Sequence, residues 1–161
     1  MKYIFLILVA FAAGCGGSLS EEQRKAYREK IEMNKIVRVT EIEITEAAFE
    51  KGRSIVRTLD SLSTDSAARE AYLAAYPGKI KFMTGLEESH HALERQIFQA
   101  YVSDTSGSYH DNVQNVRDDK GVVDSLLYSK PVTMAGHDQI VGVWHVWMSH
   151  RDVVLEISRK K

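Results

Sequence analysis

Two residue types in this chain of 161 could carry distinctive chemistry: one cysteine and six histidines. Cys15 follows Ala12-Ala13-Gly14, behind an apolar run over residues 3–13 and a positive charge at Lys2. A thiol there is placed for acylation. A lone thiol elsewhere in an oxidising compartment would be a liability. The histidines offer metal or haem ligation, but their spacing is unpromising. His90 and His91 are adjacent, so on a helix they point about a quarter-turn apart and do not chelate one metal. His90 shares a stripe with Leu93 and Ile97 and reads as a partly buried, hydrogen-bonded side chain. His145 falls on the Val143 and Trp147 side of an apolar run, where it could line a pocket. His150 opens a terminal helix and reads as exposed. His137, between Gly136 and Asp138, reads first as a polar loop residue. Tyr128, Trp144, Trp147 and Phe82 could enclose a flat ligand, although aromatics at strand spacing are more often core. Asp118-Asp119 belongs to turn chemistry. Nucleophile-elbow, phosphate-loop and zinc-protease patterns are absent, so no catalytic residue and no metal centre is assigned.

The start of the chain has the parts of an export signal: a charged residue, a short apolar core and small residues before a cut site. The apolar run is too short to span a bilayer. Ending on cysteine, it resembles the bacterial lipobox, with Ala12 where leucine is commoner. That resemblance implies a signal peptide over residues 1–14, lipidation of Cys15, a small flexible tether over 15–20 and a folded domain over 21–161. Two or more acyl chains give stable anchoring, at about 0.8 kcal/mol per buried methylene. Glycine after the cysteine suggests the outer membrane of the cell envelope. The expected partners are the membrane, through the lipid, and an unknown small ligand or envelope protein. A formal charge of −1 leaves no nucleic-acid footprint.

These residues need elements to hold them. Residues 122–149 are the most strand-like stretch: apolar runs over 122–128 and 140–148 flank a breaker segment with Pro131 and Gly136. The second run is apolar on both faces, with Ile140, Trp144, Val146 and Met148 on one and Val141, Val143 and Trp147 on the other. It reads as a central strand. Residues 21–34 read as a charged helix with Tyr27 and Ile31 on a thin apolar stripe. Residues 35–45 are β-branched, but Thr40 and Glu43 fit a capping box. Helical spacing then runs through Ile42, Thr45, Phe49, Val56 and Leu59, with Ala48 and Gly52 leaving room for a close neighbour. Asp65 caps a short helix over 66–76 that Pro77-Gly78 ends. Residues 79–83 read as a strand. Thr84 and Glu87 read as a second capping box, opening a helix that buries Leu86, His90, Leu93, Ile97 and Tyr101. Residues 112–116 read as a strand, a turn follows at 118–121, and Ser149 caps the last helix.

Three stretches together resemble a family of exported bacterial single-haem domains with a PAS-like fold. They are Thr45-Glu46-Ala47-Ala48-Phe49-Glu50-Lys51-Gly52, Leu93 through Tyr101, and Ser125-Leu126-Leu127-Tyr128-Ser129-Lys130-Pro131-Val132 with Gly142-Val143-Trp144. The resemblance implies an α+β domain, with a PAS-like antiparallel sheet packed against a long N-terminal helix and shorter helices. It also implies a pocket between helix and sheet, and a sensor-like or redox role. The haem-bearing members carry Cys-x-x-Cys-His after the tyrosine–proline strand. Here that stretch is Thr133-Met134-Ala135-Gly136-His137-Asp138, and both cysteines are missing. Two thioethers cannot form from one cysteine, so covalent c-type haem is excluded. The expectation is a non-enzymatic envelope domain of sensor-like or interaction type without a cofactor. The alternative is a binder of noncovalent haem or a small molecule through His137, His145 or His90.

Overall fold

The computed structural model describes residues 20–33, 38–104, 106, 107, 109–134 and 139–161. The expected signal peptide over residues 1–14, Cys15, most of the expected tether and His137 lie outside them. The chain divides into two compact units, Met1–Arg38 and Val39–Lys161. The first holds helix α1, Glu21–Met33, on which Tyr27 is exposed. Its start is a capping box that the sequence reading missed. The Gln23 N–H donates to Ser20 Oγ at 3.2 Å, and the Ser20 N–H donates to Gln23 Oε1 at 3.1 Å.

The second unit is a mixed helix–sheet body. Its elements are α2 (Glu41–Ser61), α3 (Ser66–Ala74), β1 (Ile80–Met83), a 3₁₀ turn (Leu86–Glu88), α4 (Ala92–Ser103), β2 (Asn112–Arg117), β3 (Val123–Thr133), β4 (Ile140–Ser149) and α5 (His150–Lys160). The four strands form one antiparallel sheet in the order β1-β4-β3-β2. β4 is therefore interior, as its two apolar faces require. Capping fixes three helix starts where the sequence placed them. Thr40 and Glu43 close a full capping box on α2, Asp65 caps α3 through the Ala68 N–H, and Ser149 caps α5 through the Asp152 N–H.

The larger core lies between the sheet and the α2/α5 pair. Leu126, Tyr128, Trp144, Val146 and Met148 meet Ile44, Ala48, Ile55, Val56 and Leu59 of α2 and Val153 of α5. Gly52 lets α2 settle on the sheet. A Cβ there would lie 2.3 Å from Tyr128 Cγ, so the ring occupies the space that any other side chain would need. The ion pairs Lys51–Glu156 at 2.9 Å and Lys161–Glu43 at 2.5 Å link the two helices at the rim. α4 covers the opposite face, where Met83, Val143 and Phe98 form a second, smaller core.

Three expectations need correction. Helix α4 begins at Ala92, not after Thr84. Thr84 instead bonds to Glu88, through its N–H at 2.8 Å and through its hydroxyl, and the chain makes a 3₁₀ turn. Leu86 and His90 therefore leave the predicted stripe and are exposed; the buried positions of α4 are Glu94, Ile97 and Phe98. Pro131 does not break its strand. β3 runs through it, paired with Val143, and β2 has already ended at the Asn112–Ser129 pair. Only one neighbouring strand remains there, which is where a strand tolerates proline. Ile140 packs with Met83 and Val143 rather than with Trp144. The pairing passes from Val132–Gly142 to Thr133–Ile140, so Val141 is an extra residue and the alternation inverts across it.

Candidate functional site

The strand alternation of β4 carries His145 and Trp147 to the α4 side, and pairing brings Ser129 of β3 and Lys81 of β1 alongside His145. Ser129 and His145 are both 0% exposed, and Ser129 Oγ lies 2.9 Å from His145 Nδ1. His145 Nε2 has no hydrogen-bond partner among the described residues. Burial pushes the imidazole down to about 4 against the opposing pull of Glu94, with Lys81 adding to the depression, so the ring is neutral near pH 7. Glu94, in the first turn of α4, is 5% exposed. A buried carboxylate is costly unless its oxygens are bonded. Here one oxygen accepts the Trp147 Nε1–H at 2.6 Å, and the other accepts the Ser89 hydroxyl with Lys81 Nζ at 3.8 Å. Burial alone would raise the Glu94 carboxyl. The Ser89 and Trp147 bonds, helped by His145 and Lys81, leave it below the usual carboxylate range.

Serine, histidine and a carboxylate are the residue types of a nucleophilic triad. Their arrangement does not suit that chemistry. The hydroxyl and the imidazole have no exposed surface, and the carboxylate bonds Trp147 and Ser89 rather than orienting the ring. What the set can do is tie α4 to the middle of the sheet. Its sequence signal was legible: Glu94 shares an i, i+3, i+4, i+7 stripe with Ile97, Phe98 and Tyr101, and a lone carboxylate on an apolar stripe calls for partners.

The candidate pocket residues separate across the sheet. Tyr128 and Trp144 belong to the α2 face and His145 and Trp147 to the α4 face. Trp144 is core: Phe82 packs against it with ring centroids 4.7 Å apart, and the Arg69 guanidinium lies 5.5 Å from its ring. His91 edges onto Trp147 at 4.6 Å, while His90 beside it faces solvent. His150 is half-buried rather than exposed, with Nε2 lacking a partner among the described residues. His137 and Cys15 lie outside the described residues. Asp118 performs the turn role read for it, accepting the Lys120 and Val122 N–H groups at 2.9 Å each. Among the described residues no group of three or more His, Cys, Asp and Glu is placed to hold a metal.

A second polar cluster opens to solvent at the seam between α2 and the sheet. The Arg53 guanidinium grips Asp111 with both arms, Nε to Oδ2 at 2.6 Å and Nη2 to Oδ1 at 2.9 Å. Tyr128 donates its hydroxyl to Asp111 Oδ2 at 3.0 Å from the core side. Arg53 chiefly holds the Asp111 carboxyl below its ordinary range, and burial together with Asp111 pushes the Tyr128 phenol up. Above this cluster lies a groove of about 340 Å³ lined by Arg53, Arg57, Tyr109, His110, Asp111, Lys130 and Pro131. No sequence pattern announced it, because Lys130 lies more than seventy positions from Arg53 and Arg57.

Comparison of the chain with protein-family models, with curated proteins and with solved structures gives no match.

Proposed function

We propose that the chain is a lipid-anchored protein of the cell envelope whose PAS-like body works by binding, as a sensor-like or interaction domain, and catalyses no reaction. The anchor rests on Cys15 behind residues 1–14, and the glycine that follows favours the outer membrane. Among the described residues no helix is long and apolar enough to cross a membrane.

The observation that carries the binding reading is the complete enclosure of Ser129 and His145. The acid–base group best placed by its neighbours cannot meet a substrate, whereas the charged groove at the α2 seam can meet a ligand. Both faces of the sheet are filled: Gly52 is pressed on Tyr128 on the α2 face, and Met83, Phe98 and Val143 pack together on the α4 face. A noncovalent haem would need an open slot beside an accessible histidine. Of the three histidines weighed, His145 offers no access, His90 sits outside the cores, and His137 lies outside the described residues.

Two measurements test the proposal. Cys15→Ser is expected to abolish acyl labelling; unchanged labelling would refute the anchor. Incubation of the purified chain with haem is expected to leave no haem absorption band. A stoichiometric band would replace this reading with a haem-binding, redox or sensing role.

A further inference from the structure

The groove at the α2 seam has a charge that the rest of the molecule does not lead one to expect. The whole chain is nearly neutral, at −1, yet three of the seven residues lining the groove are Arg53, Arg57 and Lys130. Its one carboxylate, Asp111, is already committed to both arms of Arg53 and to the Tyr128 hydroxyl. Arg57 stands one helical turn after Arg53, so both guanidinium stems rise from the same side of α2. Arg57 is exposed and has no ion-pair or hydrogen-bond partner among the described residues. Lys130 lines the same groove from β3. Its only carboxylate neighbour among the described residues is Asp60, at 3.8 Å, and both side chains are well exposed, at 40% and 56%. Such a pair is weak and screened, and an incoming anion can displace it.

The wall of the groove is fixed rather than loose. Arg53 is held in place by Asp111, and Asp111 is anchored from beneath by Tyr128, which is 0% exposed. Pro131 stiffens the backbone beside Lys130. A planar guanidinium with free donors, sharing a groove with an ammonium, is suited to an oxyanion: Arg57 can present two parallel N–H groups while Lys130 supplies a point charge.

We propose that this groove binds a small molecule through a carboxylate or phosphoryl oxyanion, with Arg57 and Lys130 as the anion-binding residues and Arg53 as a fixed wall. The assignment rests on the reading of the body as a binding domain; it does not rest on lipidation of Cys15.

The test is a chemical-shift titration of the full chain in neutral detergent, at constant ionic strength, with inorganic phosphate and in parallel with succinate. At least one anion should give saturable shifts at residues 53–60 and 109–131. Phosphate alone, succinate alone, or both saturating would each support the groove and name the oxyanion. Arg57→Gln with Lys130→Gln should weaken binding by roughly ten-fold or more. Asp60→Asn should strengthen it, because the competing carboxylate is gone. Both sites are exposed, so the variants should keep the parent's dispersed spectrum. The proposal is overturned if neither anion saturates. It is also overturned if the double variant binds as tightly as the parent, or if shifts spread evenly over cationic residues elsewhere, such as Lys120 and Arg159. Those failures would leave the anchor and haem tests above untouched.

Discussion

Gly52 shows how much one side chain's absence decides. Mid-helix glycine costs about 1 kcal/mol relative to alanine, so propensity argues against it. It stays because the Tyr128 ring fills the space a Cβ would take, with Cγ, Cδ1 and Cδ2 at 2.3–2.6 Å. Gly52→Ala should therefore destabilise the fold by about 2 kcal/mol despite the better helix former, read as a lower denaturant midpoint at unchanged m-value. A stabilised variant would mean that α2 and the sheet do not meet so closely. Tyr128 also bridges two environments, with its ring in the core and its hydroxyl on Asp111. Tyr128→Phe keeps the packing and should cost only about 1 kcal/mol, while loosening Asp111 in the groove wall.

Among the elements, the β1–β4 pairing is the most exacting contact. A Cβ at Gly142 would sit 2.3 Å from Phe82 Cζ and 2.8 Å from the Met83 carbonyl oxygen, and a backbone atom cannot swing aside. Gly142→Ala should strip β1 from the sheet edge. Amide exchange in Ile80–Met83 should then accelerate far more than in β2 or β3. Uniform acceleration across the sheet would contradict this. Helix α4 and β4 show where local reading stops. The Thr84–Glu87 spacing suggested a capping box, but Thr84 bonds to Glu88 and the chain turns before the helix begins. Ser89 then accounts for the late start: it is buried, bonds Glu94 and accepts the His91 N–H at 3.0 Å. The bulge at Val141 likewise moved Ile140 to the face opposite the one simple alternation gives it.

For the molecule as a whole, the enclosed His145 links folding to pH. Its folded value is pushed down to about 4 from an ordinary 6.5. The unfolded chain therefore binds the extra proton between those values, and stability falls as pH drops from about 6.5 to about 4, by on the order of 3 kcal/mol. Glu94 acts in a lower window. Its lowered carboxyl contributes stability above the unfolded value of 4.5 that disappears as pH falls through the folded one. His145→Gln should flatten the upper window in denaturation curves taken from pH 4 to 7. A slope unchanged by that substitution would show that the imidazole is not enclosed. Much of the body was legible from sequence. The Thr40–Glu43 capping box, the Asp65 and Ser149 caps, the interior place of β4 and the strands themselves follow from side-chain period and local hydrogen bonding, which act over four or five residues. The reading of Tyr128, Trp144, Trp147 and Phe82 as walls around one flat ligand does not hold, because strand alternation sends Tyr128, Trp144 and Phe82 to one face of the sheet and Trp147, with His145, to the other. Only tertiary structure brought Arg57 and Lys130 into one groove and Glu94 onto Trp147. Such meetings depend on strand order, a bulge and the depth to which a helix settles, and no short window of sequence encodes the distance between residues that far apart.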